Sequence, residues 1–179
     1  MLTPKIRVLF SLLVAIPGLA FGASDDAPPK PTNTTKSCKG VQVWDPATQK
    51  CVAPDNASLD SDALYDAARE LAYAGRYGDA QGVLSAMRDQ SDDRVLTYWG
   101  FTHRKMGNTD LANVFYARAI ERNPDNILAR SYMGQGLVEE GRTDEAIAQW
   151  REITARAGTG SWAEVSLRDA IRTGMTYNY

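Results

Sequence analysis

The chain has little of the chemistry that metal sites need. Among its 179 residues there is one histidine, His103, and there are two cysteines, Cys38 and Cys51. These are too few ligands, and too far apart in sequence, for the usual four-ligand zinc site. The glycine-containing runs at 134–136 and 158–161 do not follow a strand pattern, so neither predicts a phosphate-binding loop. We therefore expect no metal, no cofactor and no catalytic residues.

An excess of positive charge is also absent. The chain has 20 lysines and arginines against 22 aspartates and glutamates, which gives a net charge of −2. Proteins that bind nucleic acids neutralise phosphates with a clustered basic surface. The charge balance therefore argues against a nucleic-acid partner.

Long apolar runs are missing except for a short one near the start. Residues 8–16 are apolar except for Ser11, follow two basic residues and end at a Pro-Gly pair. This order predicts a signal peptide over 1–23, cleaved near Gly22 or Ala23. The run is about half of the ~20 residues that a membrane-spanning helix needs. We expect a periplasmic or secreted protein with no integral membrane segment after removal of the signal.

The segment that follows divides into a polar stretch and a cysteine pair. Residues 24–36 are rich in proline, aspartate and threonine, which predicts a flexible linker. In an exported chain Cys38 and Cys51 are expected to form a disulfide. Between them "VQV" alternates apolar and polar residues and "DPAT" supplies turn residues, so we predict a two-stranded, disulfide-stapled hairpin over 37–53.

From residue 58 to residue 174 the pattern is helical and repeats. Gly75, Gly107 and Gly141 stand in the similar contexts "AGRYGDA", "MGNTDLA" and "EGRTDEA", at separations of 32 and 34 residues. This period predicts three helix–turn–helix units. A single pair of helices is too small to bury its apolar face, so stacking of the pairs provides the core.

A seventh helix of this region is predicted after the third unit. Ser161 and Glu164 form a capping box at its start, and Gly174 ends it. Such a helix would cover the last repeat. The tail over 175–179 is polar and aromatic, and three alternatives are open for it: docking on a partner, folding back onto its own groove, or disorder.

Large, small and turn residues recur at matching places in the second and third units. They are Trp99-Gly100, Gly107, Ala112, Tyr116, Ala119 and Pro124, then Met133-Gly134, Gly141, Ala146 and Trp150. In these positions the chain resembles the tetratricopeptide repeat family. The first unit departs from the pattern at Ala67-Ala68 and Asp92, and Gly158 replaces the closing proline of the third.

The resemblance implies an all-α fold, a right-handed α-α superhelix of about three helical hairpins with a capping helix. It also implies a protein-binding scaffold whose partner the fold does not identify. The first helix of each pair would line a short concave groove for an extended peptide or one helix. The residues expected to face the groove are Tyr65, Arg69, Tyr73, Thr97, Phe101, Arg104, Ser131 and Gln135.

Several of these residue types are those that dominate protein interfaces. The alternative is that Arg69 and Arg104 are ordinary solvated residues and that Tyr65 and Tyr73 pack under the N-terminal segment. The Lys/Asn pattern with which one branch of the family clamps a C-terminal carboxylate is not found in this sequence.

The single histidine follows the apolar stripe of its helix. Leu96, Trp99, Gly100 and His103 have the i, i+3, i+4, i+7 spacing of one helix face. We therefore expect a packed, hydrogen-bonded core histidine, and we expect the protein not to be an enzyme.

The sequence thus favours an exported scaffold that binds a peptide or protein partner, with a homo-oligomer left open. The alternative is an envelope glycan-binding protein that uses the 37–53 hairpin, with the repeats as a spacer. In that case Trp44 would be a sugar-stacking platform, whereas otherwise it is the apolar anchor of the hairpin.

Overall fold

A computed structural model of the protein describes residues 28–156 and 158–176. The expected signal peptide (1–23), the first residues of the expected linker and the last three residues of the tail lie outside these ranges. The elements in chain order are α1 (Asn33–Lys36), β1 (Val43–Asp45), β2 (Lys50–Val52), α2 (Ser61–Tyr73), α3 (Tyr77–Ala86), α4 (Asp93–Lys105), α5 (Thr109–Arg122), α6 (Ile127–Glu139), α7 (Thr143–Ala155) and α8 (Trp162–Thr173).

The fold is all-α, with one small β-hairpin. The helices pack as three pairs, α2 with α3, α4 with α5 and α6 with α7, and α8 packs against α6 and α7. The first helices of the pairs also contact one another, α2 with α4 and α4 with α6. Across the described part of the chain, no helix has the length and apolar character required to cross a bilayer.

The three pairs share one turn chemistry, as the repeated glycines predict. Gly75, Gly107 and Gly141 have φ of +75°, +83° and +75°, a left-handed conformation in which a Cβ would be strained. In each turn the amide after the glycine donates to a carbonyl five residues earlier, at 2.9 Å for Arg76 to Leu71, 2.9 Å for Asn108 to His103 and 2.8 Å for Arg142 to Leu137. This closure satisfies carbonyls that the helix end leaves without intrahelical partners.

Small residues allow neighbouring helices to approach closely. A Cβ added to Gly100 would lie 2.5 Å from the ring of Tyr116, and one added to Gly134 would lie 2.6 Å from Leu167. Tyr116 and Leu167 are fully buried at these contacts. The glycine of the second pair therefore sets the distance between α4 and α5, and that of the third pair sets the distance between α6 and α8.

The Ser161 cap and the Gly174 stop of α8 follow the sequence prediction, but the capping box is only half formed, because the Ser161 amide donates to the Gly158 carbonyl at 3.0 Å and not to Glu164. The Ser161 hydroxyl accepts a hydrogen bond from the Glu164 amide at 3.1 Å, and Gly174 closes the helix with φ of +72°. The Glu164 carboxylate accepts from the Gly160 amide at 3.3 Å and from Trp150 Nε1 at 2.8 Å. Glu164 thereby ties the start of α8 to the preceding loop and to α7.

The hairpin is stapled as predicted and packs on the helices. Cys38 and Cys51 form a disulfide, and β1 and β2 pair antiparallel with Trp44 opposite Cys51. The alternation of the strand places Val43 in the core, whereas Trp44 is half-buried. Val43 therefore anchors the hairpin, contrary to the expectation that Trp44 would do so.

The segment before the hairpin differs from the expected flexible linker. The Glu70 carboxylate of α2 accepts from the Thr32 amide at 2.7 Å, the Thr32 hydroxyl at 2.6 Å and the Thr35 amide at 3.0 Å, and it also accepts from the Thr35 hydroxyl. Residues 32–36 are thus bound to the helical domain. Composition could not reveal this, because the contact joins polar residues far apart in sequence.

We predict opposite stability effects for two helical glycines. Gly100→Ala should lower the free energy of unfolding by about 1–3 kcal/mol, because its Cβ would overlap the Tyr116 ring. Gly78→Ala is the matched control: no atom lies within 4 Å of its Cβ, so alanine should raise the free energy by about 0.5–1 kcal/mol. Urea unfolding followed by circular dichroism measures both, and equal stability of the two variants would contradict the packing described.

Candidate functional site

The first helices meet on one side of the domain. Tyr73, at the end of α2, stacks on Phe101 of α4 with ring centroids 5.7 Å apart. The Tyr73 hydroxyl also lies 2.5 Å from the hydroxyl of Tyr132 in α6. Because α2 and α6 flank α4, this contact across α4 marks the concave side. We call the surface formed by Tyr73, Tyr77, Phe101, Lys105 and Tyr132 the inner face.

Aromatic contacts continue from α2 to α8 through the inner face. They join Tyr65 to Tyr98 at 5.6 Å, Tyr98 to Tyr132 at 6.2 Å, Phe101 to Tyr132 at 4.8 Å, Tyr77 to Phe101 at 6.4 Å and Tyr132 to Trp162 at 6.0 Å. All five of these pairs are edge-to-face or tilted, as the ring quadrupoles favour. Burial raises the pKa of the Tyr98 and Tyr132 hydroxyls, so both stay protonated.

Cationic side chains border the aromatic rings. Lys105 Nζ lies 5.7 Å from the centre of the Phe101 ring, and the Arg104 guanidinium lies 6.0 Å from it. Arg104 pairs with Glu139 at the end of α6 at 3.0 Å. Burial, reinforced by the neighbouring Arg104, lowers the pKa of Lys105 to about 8. The inner face therefore combines apolar rings with the Lys105 cation at the C-terminal end of α4, where Glu139 at the end of α6 pairs with Arg104.

A polar cavity of about 260 Å³ lies at the other end of the first helices. Its lining includes Tyr65, Asp93, Arg94 and Thr97. The Asp93 carboxylate accepts from Asn126 Nδ2 at 2.7 Å, and the Arg94 guanidinium lies 4.7 Å from the centre of the Tyr65 ring. The concave side thus has a polar end at this cavity and an aromatic, cationic end at the inner face.

The residues predicted to face an open groove are all buried except Tyr73, which is half-buried. Tyr65 and Thr97 border the polar cavity, and Tyr73 and Phe101 form part of the inner face. Arg69 lies inside, where its Nε donates to the Tyr98 hydroxyl at 3.2 Å. These residues form one connected region on the concave side.

The other three predicted groove residues, Ser131, Gln135 and Arg104, are covered by neighbouring helices. Ser131 Oγ donates to the carbonyl of Ala163 in α8 at 2.7 Å, and Gln135 Nε2 donates to Ser131 Oγ at 3.3 Å. Both are covered because α8 packs on α6. Arg104 extends under α6, where a Cβ on Gly136 would come within 3.0 Å of its side chain. Their placement differs from the solvent-facing position expected from the sequence.

The residues of this region that the sequence analysis missed are Arg94, Lys105, Tyr77 and Tyr132. Tyr65, Tyr98 and Tyr132 recur at separations of 33 and 34 residues, close to the period of the glycine turns. That periodicity could have identified Tyr132. Tyr77 opens α3 and follows no repeat pattern.

His103 lies on the opposite side of α4. Its ring is half-buried and stacks on Phe115 at 5.5 Å and on Trp99 at 5.8 Å. In the described part of the chain, no group hydrogen-bonds its buried Nδ1, which differs from the hydrogen-bonded histidine expected. Burial lowers the pKa of the imidazole. Within residues 28–156 and 158–176, no three histidine, cysteine, aspartate or glutamate side chains are grouped as metal ligands.

Comparisons of the chain with protein-family models, with curated proteins and with solved structures found no match.

The lowered pKa of Lys105 gives a titration that can be measured. In ¹³C-lysine-labelled protein we expect the ε-carbon of Lys105 to titrate near pH 8 in the folded chain. In urea the same resonance should return to the ordinary lysine value of about 10.4. The unfolded chain then binds more protons than the folded chain between these values, so stability rises with pH across this window. Folded and unfolded chains titrating together would contradict the burial of Lys105.

Proposed function

We propose that the protein is an exported, non-enzymatic scaffold of the tetratricopeptide repeat family that binds a peptide or protein segment on its concave side. The stacked helical pairs with glycine-closed turns support membership of that family. The Cys38–Cys51 disulfide fits an extracellular or periplasmic protein, because disulfides persist in oxidising compartments.

The observation that carries the proposal is the inner face. Tyr73, Tyr77 and Lys105 are half-buried there, over the buried ring of Phe101. Aromatic side chains lose little conformational entropy on binding and offer a large contact area. Lysine adds a preference for acidic or hydroxyl-bearing groups. The partner segment favoured by this surface carries apolar or aromatic side chains beside acceptor groups.

The size of the surface limits the segment that fits. Arg94 borders the polar cavity and Lys105 lies on the inner face, eleven residues along α4, or about 16 Å at 1.5 Å per residue. An extended peptide covers this distance with about five residues at ~3.3 Å each. The concave side therefore suits a short extended segment that runs along α4.

The alternative, glycan binding by the hairpin, has less support. Val43 and Asp45 are buried, and Arg76 of the helical domain donates to the carbonyls of Cys38 and Gly40. The hairpin is thus built into the domain rather than separate from it. Trp44 remains half-buried, and its role as a sugar platform stays a prediction.

Site-specific photocrosslinking tests the proposed function. A benzoylphenylalanine replaces Tyr77 in one variant and Val114 in the other, since Val114 is 53 % exposed on α5, the second helix of its pair. In envelope extract, the probe at position 77 should capture a partner segment that the probe at position 114 does not.

Two results would contradict this assignment. One is capture of the same partner with equal yield at both positions, and the other is capture at position 114 alone. A crosslink of the chain to a second copy of itself would instead identify a homo-oligomer. As a further control, Lys105→Gln should reduce capture at position 77, whereas Arg118→Gln on α5 should leave it unchanged.

A further inference from the structure

The chain beyond α8 is directed towards the inner face. Gly174 ends α8, and two residues later the Thr176 hydroxyl donates to Glu139 Oε1 at 2.5 Å. The same carboxylate oxygen pairs with Arg104 of α4. After α8 the chain therefore lies at the C-terminal ends of α6 and α4, where the inner face begins.

The next three residues are long enough to cross the inner face. Tyr177 to Tyr179 span about 10 Å when extended, and neighbouring helix axes lie about 8–10 Å apart. From Thr176 this length covers the distance from the end of α6 to the end of α4. At the end of α4, Lys105 lies against the Phe101 ring, and Tyr73 of α2 stacks on the same ring.

The composition of this segment matches the surface. Two of its three residues are tyrosines, and the inner face presents the half-buried rings of Tyr73 and Tyr77. Offset and edge-to-face ring pairs stabilise such contacts by about 0.5–1.5 kcal/mol beyond the area that they bury. A tyrosine hydroxyl can also accept a hydrogen bond from Lys105, which already lies against the Phe101 ring.

We propose that Tyr177 and Tyr179 bind the inner face of their own chain, in cis, and so occupy the surface that a partner segment would use. This goes beyond the proposed function, because it requires only this chain. A short tether holds such a segment at a local concentration in the millimolar range. An external segment must therefore displace the tail, which weakens its apparent affinity.

The test uses a blocked peptide with the sequence of residues 175–179, MTYNY, and a matched control in which both tyrosines are alanine, MTANA. Each is titrated into the full chain and into a variant truncated after Thr176. Binding is followed by NMR at the Lys105 ε-carbon and at the Trp162 indole. The truncated variant should bind MTYNY about tenfold more tightly than the full chain does, because its inner face is open. MTANA should bind neither.

A second variant controls for the possibility that the truncation itself disturbs folding. Tyr177→Ala/Tyr179→Ala keeps the full length and should behave as the truncation does. The proposal is overturned if both variants bind MTYNY no more tightly than the full chain, or if the shifts appear at Leu111 and Val114 on α5. Tail contacts that depend on protein concentration would show binding between copies, which also overturns it. None of these results depends on whether an envelope partner exists.

Discussion

The aromatic contact across α4 is the interaction on which the stacking depends. Tyr98 and Tyr132 are fully buried, and each contacts rings from a neighbouring first helix. Tyr73 reaches from α2 to α6, so three helical pairs meet in one cluster instead of touching only in sequence order. Without this contact each pair would bury little more than its own apolar stripe, which is too small to be stable alone.

The buried tyrosines of this cluster need hydrogen-bond partners for their hydroxyls as well as apolar contacts for their rings. A buried hydroxyl that loses its hydrogen bond costs about 1–3 kcal/mol, so each ring must be placed with its partner. Arg69 supplies the donor for Tyr98, and Tyr73 and Tyr132 bond to each other. Residues that would recognise a ligand therefore also hold the helices together. Substitutions deep in the inner face confound binding with stability, whereas Tyr77 and Lys105 at its edge are less affected.

Features determined by local sequence could be predicted, and those determined by distant contacts could not. The glycine turns, the Ser161 cap and the Gly174 stop depend on residues within one helical turn, and all three are confirmed. The burial of Ser131 depends on α8, about 32 residues away, and the binding of residues 32–36 depends on Glu70. Neither contact leaves a periodic signal in the sequence.

For the residues predicted to face the groove, the side of the helix could be predicted from the sequence, but the degree of exposure could not. Helical periodicity placed Tyr73 and Phe101 on the concave side, where they meet. Periodicity gives direction around one helix, but exposure also depends on which other elements cover that face. The pattern therefore could not indicate how far the concave side is filled by its own side chains.

A double-mutant cycle on Tyr73→Phe and Tyr132→Phe tests the central claim most directly. Each single change removes the hydrogen bond between the two hydroxyls, and the double change removes that same bond only once, so the effects should not add. We expect a coupling of at least about 0.5 kcal/mol in the free energy of unfolding. A control cycle on Tyr73→Phe and Thr154→Ala should be additive within about 0.3–0.5 kcal/mol, because Thr154 lies on α7 and its hydroxyl donates to the Arg151 carbonyl, away from the aromatic cluster. Additivity in the first cycle would mean that α2 and α6 do not meet across α4, and the concave side described here would not exist.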